Sequence, residues 1–195
     1  MVIWFASGNE HKRGELAAIL PEVELRIPSD AGIDFEPEEN GETFLENSLI
    51  KANALYRLVR EPVIADDSGL CVDALGGRPG VRSARYGTEG GCRLDTVARN
   101  ELLLRELRNE TNREARFVCA MTLLFGEYRF FAAQETLEGE LLREQRGSGG
   151  FGYDPLLYLP AQGCTVAELP ADVKNKLSHR ARAAAALCVH LDALR

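Results

Sequence analysis

The amino-acid sequence predicts an α/β fold. Three observations carry this prediction: short apolar runs alternate with amphipathic helical patterns near the start, two long strand-like segments lie between residues 115 and 136, and an alanine-rich helical segment comes last. The chain has 195 residues, which is enough for one domain or for two small lobes that share a cleft. We therefore expect a single domain over residues 1–195.

The first elements have the pattern of a strand, a helix and a second strand. Val2 to Ala6 is a continuous apolar run that ends at Ser7-Gly8-Asn9, which is typical of a buried strand followed by a turn. A helix is predicted from Glu10 to Leu20, because Pro21 prevents its continuation. The alternation from Val23 to Ile27 predicts the second strand.

A loop, a longer helix and a very short strand follow. Residues 34–41 are acidic and interrupt all periodicity, which indicates a loop. A helix is predicted from Thr43 to Val59, and Thr43 with Glu46 is compatible with a capping box at its start. Pro62 to Ala65 predicts a short strand that runs straight into Asp66-Asp67-Ser68-Gly69. Two carboxylates are thus expected at the carboxyl end of a strand, where ligands gather in α/β sheets.

The second half of the chain predicts two helices and three strands. The helices run from about Asp95 to Arg108 and from Arg180 to Leu194. The strands run from Ala115 to Phe125, from Tyr128 to Thr136 and from near Leu137 to Leu142, the first two joined as a hairpin through Gly126-Glu127.

The composition excludes several classes of protein. With 45% hydrophobic and 27% charged residues, the chain is an ordinary folded protein rather than a disordered one. A net charge of -7 argues against sequence-independent nucleic-acid binding. Five cysteines without a CxxC pair predict neither a zinc site nor a closed disulfide set, and they fit a reducing cytosol. The first residues have no charged leader or long apolar run, so neither export nor a membrane anchor is expected.

Acidic side chains are the first candidates for chemistry. Neighbouring residues of an extended segment face opposite ways, so one carboxylate of Asp66-Asp67 can act while the other supports it. Such a pair can hold Mg²⁺ or orient a water molecule, but it can also simply end a strand in a turn. One glutamate of Glu38, Glu39 and Glu42 could complete a carboxylate set, although dipole complementation at a helix start explains that cluster equally.

Two further segments could bind a ligand. The turn from Ser7 to Lys12 opens a helix, so its backbone amides and Lys12 could bind phosphate oxygens, or it could merely cap that helix. The segment Gly147 to Gly152 matches G-x-G-x-x-G. It does not lie between a strand and a helix, so we reject a dinucleotide site there and expect Phe151 to stack on a ligand or to pack in the core.

A basic run precedes the terminal helix. It consists of Lys174, Lys176, His179 and Arg180. A cation at a helix N-terminus opposes the helix dipole, so Arg180 should have an anionic or acceptor-rich neighbour, which favours ligand binding.

Six ordered motifs resemble one family over almost the whole chain. They are Ser7-x-Asn9-x-x-Lys12, Phe44-x-Glu46-Asn47 with Lys51-Ala52, Ala65-Asp66-Asp67-Ser68-Gly69-Leu70, Pro79-Gly80 with Ser83-Ala84-Arg85-Tyr86, Gly149-Gly150-Phe151-Gly152-Tyr153-Asp154-Pro155, and Ser178-His179-Arg180. This order is similar to that of the non-canonical purine nucleoside triphosphate pyrophosphatases, the ITP/XTP pyrophosphatases. The resemblance implies two lobes around a central cleft with a long mixed β-sheet flanked by helices. It also implies a cytoplasmic homodimer that uses Mg²⁺ to cleave ITP, dITP or XTP into the monophosphate and pyrophosphate.

The resemblance further implies roles for individual residues. Asp67 would be the catalytic base and, with Glu39, a metal ligand, while Asp66 would be the supporting acid. The substrate-binding residues would be Ser7, Gly8, Asn9, Glu10, His11 and Lys12 in the triphosphate loop, Ser68, and Phe151, Gly152, Tyr153, Asp154, Lys174, His179 and Arg180 in the sugar and base pocket. Arg180 would donate to the 6-oxygen of the purine, which adenine lacks. The alternatives are a dTTP or UTP pyrophosphatase of similar fold and a nucleotide-binding module that does not hydrolyse its ligand.

Overall fold

The computed structural model describes residues 1–88 and 92–191, and this part of the chain forms seven strands and five α-helices. The strands are β1 Val2–Phe5, β2 Glu24–Arg26, β3 Val63–Val72, β4 Glu114–Gly126, β5 Arg129–Leu141, β6 Leu157–Leu159 and β7 Cys164–Thr165. The helices are α1 Glu10–Ile19, α2 Phe44–Val59, α3 Thr96–Glu106, α4 Ala171–Leu177 and α5 His179–Cys188. None of these helices is both long enough and apolar enough to cross a membrane.

The strands form one mixed sheet in the order β2-β1-β3-β4-β5-β6-β7. Strand β1 pairs in parallel with β2 and β3, whereas β6 pairs antiparallel with β5 and β7. The sheet with its helices confirms the predicted α/β class. By its internal contacts the chain divides into two compact units. Unit 1 comprises Met1–Ser68, Cys119–Glu135 and Asn175–Arg195, and unit 2 comprises Gly69–Val118 and Thr136–Lys174.

The core of unit 1 explains why β1 is apolar at every position. Ile3 and Phe5 belong to a buried cluster with residues of α1 and α5, whereas Trp4 and Ala6 belong to a second cluster with residues of α2. Because side chains alternate along a strand, these clusters lie on opposite faces of the sheet. The same alternation in β3 places Ile64 in the first cluster and Ala65 in the second.

Strand β3 corrects one prediction. It continues to Val72 instead of ending at Ala65, so Asp66 and Asp67 lie inside a strand and not at its carboxyl end. Aspartate and glycine disfavour strands, but tertiary contacts override this local preference. Gly69 is no turn residue: a Cβ atom there would collide with the backbone oxygen of Gly80, so this glycine allows a close approach of two backbone segments.

Three further differences from the prediction lie in the second half of the chain. Residues 129–141 form a single strand, so the predicted break between Thr136 and Leu137 is wrong. Helix α4 was not predicted, because seven residues are too few for a helical period to stand out. The predicted helix from Arg180 to Leu194 is too long, because α5 starts at His179 and already ends at Cys188; residues 192–194 lie outside the described residues. The capping box of Thr43 and Glu46 is confirmed.

Candidate functional site

Strand β3 carries two consecutive buried carboxylates whose side chains meet different partners. Asp66 is 0% exposed and Asp67 is 6% exposed. Because adjacent residues of a strand point to opposite faces, Asp66 lies on the side of α1 and α5, and Asp67 lies on the side of α2. The predicted division of this pair between the two faces is therefore confirmed. We call these surroundings the Asp66 side and the Asp67 side.

On the Asp66 side, two cations surround one carboxylate. Lys12 Nζ donates to Asp66 Oδ1 at 3.1 Å, and Arg180 donates to Asp66 Oδ2 from Nε at 3.2 Å and from Nη2 at 3.0 Å. Arg180 Nη2 also lies 2.9 Å from Ser68 Oγ, and its Nη1 donates to Glu15. The acceptor-rich neighbours expected for Arg180 at the start of α5 are thus present, and they include two protein carboxylates.

Electrostatics keep Asp66 ionised. Burial alone would raise the pKa of Asp66, but Lys12 and Arg180 outweigh burial and hold that pKa well below its usual range. Cys119 lies beside this pair, with Sγ 3.9 Å from Asp66 Oδ2, and burial raises the pKa of its thiol to about 12. The Asp66 side is therefore an ion-pair network with the neutral thiol of Cys119 next to it.

On the Asp67 side, one ammonium faces two carboxylates. Lys51 Nζ lies 3.0 Å from Glu39 Oε1 and 3.4 Å from Asp67 Oδ1. Asn47 Nδ2 donates to Asp67 Oδ2 at 3.1 Å. The structure therefore brings together Glu39 and Asp67, which are the two carboxylates expected to bind a metal.

Asp67 is the more basic of the two aspartates. Burial raises the pKa of the Asp67 carboxyl above its usual value, and Lys51 only partly opposes this rise. A carboxylate whose pKa is raised toward the working pH is a better proton acceptor than an ordinary one. Its environment suits a general base better than that of Asp66 does.

The residues of the Asp67 side fit Mg²⁺. Two carboxylates stand against one ammonium, so the group has an excess negative charge and offers only oxygen ligands. Within residues 1–88 and 92–191, no three or more His, Cys, Asp or Glu side chains stand together as a complete metal cage. Mg²⁺ characteristically binds one or two carboxylates and keeps water or substrate phosphates as its other ligands, so two carboxylates are enough.

The turn from Ser7 to Lys12 is organised by its own side chains. Ser7 Oγ accepts from Asn9 N at 3.1 Å, and Asn9 Oδ1 accepts from Lys12 N at 3.1 Å, which makes Asn9 the N-cap of α1. Gly8, Glu10 and His11 are exposed there. A helix N-terminus favours anions, so phosphate binding by this turn stays a prediction.

In unit 2, the second predicted group forms around Asp154. Its Oδ2 accepts from Phe151 N at 2.8 Å and from Lys174 Nζ at 2.7 Å, and Lys174 Nζ lies 4.9 Å from the centre of the Phe151 ring. Gly150 has φ +69°, and a Cβ atom there would collide with Asp154. The glycine thus lets the loop fold onto the carboxylate.

The residues beside Phe151 are tied to the rest of unit 2. Tyr153 donates its hydroxyl to Ser83 O at 2.9 Å, and Gly152 O accepts from Asn100 Nδ2 at 3.1 Å. No helix follows this loop, because β6 comes next, which supports the rejection of a dinucleotide site. The loop instead holds Phe151 in place with a cation beside its ring.

The predicted residues are therefore distributed over both units. Unit 1 contains the turn from Ser7 to Lys12, Glu39, both aspartates, Ser68, His179 and Arg180, and unit 2 contains the loop from Phe151 to Asp154 and Lys174. Sequence reasoning gave no role to Asn47 and Lys51. The signal for them was present, because the polar residues Asn47, Ser48 and Lys51 interrupt the apolar pattern of the buried face of α2.

The chain is similar to known proteins over almost its whole length. The model of the Ham1 family matches residues 3–190. The dITP/XTP pyrophosphatase of Treponema denticola is 50% identical over 183 residues, which cover 94% of each chain. Among solved structures, the Ham1 protein of Staphylococcus aureus is 37% identical with a TM-score of 0.88 over 100% of both chains. The HAM1 protein of Coxiella burnetii is 35% identical with a TM-score of 0.89 over 99% of both.

Proposed function

Because the chain belongs to the Ham1 family, we propose that it is a nucleoside triphosphate pyrophosphatase acting on ITP, dITP and XTP. The products are the nucleoside monophosphate and pyrophosphate. Relatives that share up to 50% of its residues have the name dITP/XTP pyrophosphatase, which supports this substrate class.

The observation that carries the proposal is the environment of Asp67. This carboxylate is buried, its pKa is raised by burial, and Lys51 and Asn47 hold both of its oxygens. A general base needs a fixed position and gains from a raised pKa; the two hydrogen-bond partners of Asp67 fix its position, and burial raises its pKa above the usual value. In the proposed reaction Asp67 accepts a proton from a water molecule as that water attacks the α-phosphorus. The bond to the bridging oxygen then breaks, and pyrophosphate leaves.

Charge on the substrate calls for local cations. A triphosphate is repelled by a protein with a net charge of -7, so the binding region must offset that repulsion. Lys12 lies at the start of α1, where the helix dipole also favours anions. We propose that Ser7 to Lys12 bind the phosphates.

The proposal includes dependence on Mg²⁺. Glu39 and Asp67 would hold the ion, since their excess negative charge attracts a cation. Bound there, Mg²⁺ would neutralise phosphate charge and polarise a phosphoryl oxygen. When no Mg²⁺ is bound, Lys51 would keep the carboxylates of Glu39 and Asp67 in place.

We propose that the group around Asp154 in unit 2 recognises the base. Phe151 would stack on the purine. Lys174, which lies beside the Phe151 ring and donates to Asp154, would hold the Phe151 ring in place. His179 and Arg180 belong to unit 1, where both are buried at the start of α5, and their role in binding the base stays a prediction. A site that donates to the 6-oxygen would reject adenine by up to about 10⁴-fold, because the donor would face an amino group.

One experiment tests the substrate, the cleavage position and the metal together. Purified protein is incubated with ITP, dITP, XTP, ATP, GTP, dTTP and UTP, with and without Mg²⁺, and the phosphate products are separated. We expect pyrophosphate and the monophosphate from ITP, dITP and XTP, only with Mg²⁺. Orthophosphate and a diphosphate would contradict the proposed cleavage, preference for dTTP or UTP would support the alternative enzyme, and binding without products would support a non-hydrolysing module. Sedimentation of the same sample tests the homodimer that we also propose.

A further inference from the structure

Asn47 is a fully buried polar side chain in the first turn of α2. It is 0% exposed, and it lies on the buried face of α2 together with Phe44, Ser48 and Lys51. A buried amide without hydrogen bonds is costly, so its partners show what keeps it there. Neither the predicted base nor the predicted metal ligands include it.

The two ends of the Asn47 amide bind two different parts of the chain. Its Oδ1 accepts from Gly41 N at 2.9 Å, in the acidic loop that carries Glu39. Its Nδ2 donates to Asp67 Oδ2 at 3.1 Å, in β3. The orientation of the amide is unambiguous, because a backbone N–H can only donate and an ionised carboxylate can only accept.

The acidic loop passes close to the side-chain amide of Asn47. A Cβ atom at Gly41 would lie 2.8 Å from Asn47 Oδ1 and 2.7 Å from the Cβ atom of Glu46, so only glycine allows this approach. The next two backbone amides, those of Glu42 and Thr43, donate to Glu46 Oε2 at 2.7 and 2.9 Å. Three successive amides of the loop are thus held by two adjacent side chains of α2.

The side chains of Glu46 and Asn47 bind different parts of the molecule. Glu46 is exposed and binds only the end of the loop next to its own helix. Asn47 is buried and is hydrogen bonded on its other side to Asp67. Glu39 itself binds Lys51, which in turn contacts Asp67, so the loop and the aspartate are joined by two short paths.

We propose that Asn47 is a positioning residue that couples the acidic loop carrying Glu39 to the carboxylate of Asp67. This inference rests on the proposed function for its effect on catalysis, since Asp67 is the proposed base. Its effect on the loop does not depend on any activity. Loss of the amide frees Gly41 N and one oxygen of Asp67 at the same time.

The first measurement uses the protein without substrate or metal. Hydrogen exchange at the amides of residues 38–43 is compared in the parent protein, in Asn47→Ala and in Asn53→Ala. Asn53 is the matched control, because it lies on the same helix but is exposed and donates only to Leu49 O at 2.8 Å. We expect the Gly41 amide to exchange about 10-fold faster or more in Asn47→Ala, since its acceptor is lost, and to stay unchanged in Asn53→Ala.

A second variant separates the hydrogen bond to Gly41 N from the hydrogen bond to Asp67. Asn47→Asp keeps an acceptor for Gly41 N but loses the donor to Asp67 and places a second negative charge beside it. We expect protection of Gly41 to be retained and kcat for ITP to fall about 10- to 100-fold with KM changed less than about 3-fold. Asn47→Ala should lose both protection and kcat, and Asn53→Ala should lose neither.

The outcomes distinguish this inference from the proposed function. If the parent protein releases no pyrophosphate from ITP, the proposed function fails, and the exchange data alone decide whether Asn47 holds the loop. If the parent is active but Asn47→Ala matches Asn53→Ala in exchange and kcat, the positioning role is overturned. A fall of kcat in both alanine variants would also overturn it. Should Asn47→Ala not fold, Asn47→Asp still gives the decisive comparison of exchange with kcat.

Discussion

Asp66 and Asp67 are consecutive residues of one strand, yet their carboxylates have opposite electrostatic surroundings. Asp66 faces Lys12 and Arg180, and its pKa is held well below its usual range although burial opposes this. Asp67 faces Lys51 and also the field of Glu39, and its pKa is raised, with burial as the main cause. The carboxylate of Asp66 therefore stays ionised, whereas that of Asp67 binds a proton more readily.

The difference shows how a fold can obtain two functions from one residue type. In the ion-pair network around Asp66 the positive charges keep the carboxylate ionised, and removing one partner would leave a buried charge uncompensated. A carboxylate that shares one lysine with another carboxylate has an excess of negative charge and attracts a cation or a proton. The Asp66 side therefore fits a supporting role, and the Asp67 side fits the chemistry.

The largest effect is expected from Asp67→Asn. The amide has the shape of the carboxylate but cannot accept a proton from water, so kcat for ITP should fall about 10³- to 10⁴-fold. Pyrophosphate release in a steady-state assay measures this. Circular dichroism should remain that of the parent protein, and a kcat within about 10-fold of the parent would contradict the assignment of the base.

The next largest effect is expected from Asp66→Asn. This change removes the common anion of the half-buried Lys12 and the fully buried Arg180 and should lower the free energy of unfolding by about 3–5 kcal/mol, as measured in urea. Asp30→Asn is the control, because Asp30 pairs with Arg13 at 2.9 Å but is 38% exposed, so the expected loss is below about 1 kcal/mol. Equal losses in both variants would show that the Asp66 network is not the stronger one.

A smaller effect is expected where α2 docks on the sheet on the Asp67 side. Ser48 Oγ donates to Ala65 O at 3.1 Å and lies 2.8 Å from Thr122 Oγ1, and both hydroxyl residues are fully buried. Ser48→Ala and Thr122→Val should each cost about 1–2 kcal/mol in unfolding free energy, and the double variant should cost less than their sum. Strict additivity in the double-mutant cycle would show that the two hydroxyls are not coupled.

The smallest effect, and the one that contrasts the two aspartates most directly, is the dependence of stability on pH without metal. The folded-state pKa of Asp66 is lowered, so its contribution is present above the unfolded pKa of about 3.9 and is lost as pH falls through the folded value. The folded-state pKa of Asp67 is raised, so its contribution is present below about 3.9 and is lost as pH rises through the folded value.

Chemical denaturation of the two asparagine variants at several pH values measures these slopes. Asp66→Asn should remove part of the acid-induced loss of stability. Asp67→Asn should remove the loss that accompanies rising pH, and the variant should be more stable than the parent near pH 7. Slopes of the same sign for both variants would contradict the assigned pKa directions.

Much of the local structure could be predicted from the sequence. The apolar run of β1, the capping box that opens α2 and the two-residue alternation that separates Asp66 from Asp67 are all properties of neighbouring residues. The length of β3 could not be predicted, because aspartate and glycine disfavour strands locally. Partners distant in sequence keep these residues extended, among them Lys12, 54 positions from Asp66, and Arg180, 114 positions from it.

The sequence by itself determined that two acids would face opposite sides of an α/β sheet, since the period of a strand is a local property of the backbone. Only the tertiary structure decided which acid received two cations and which shared a single lysine with Glu39, and thus which pKa fell and which rose. The physical reason is that burial and charge act through space, between residues whose proximity arises only when helices pack on the sheet.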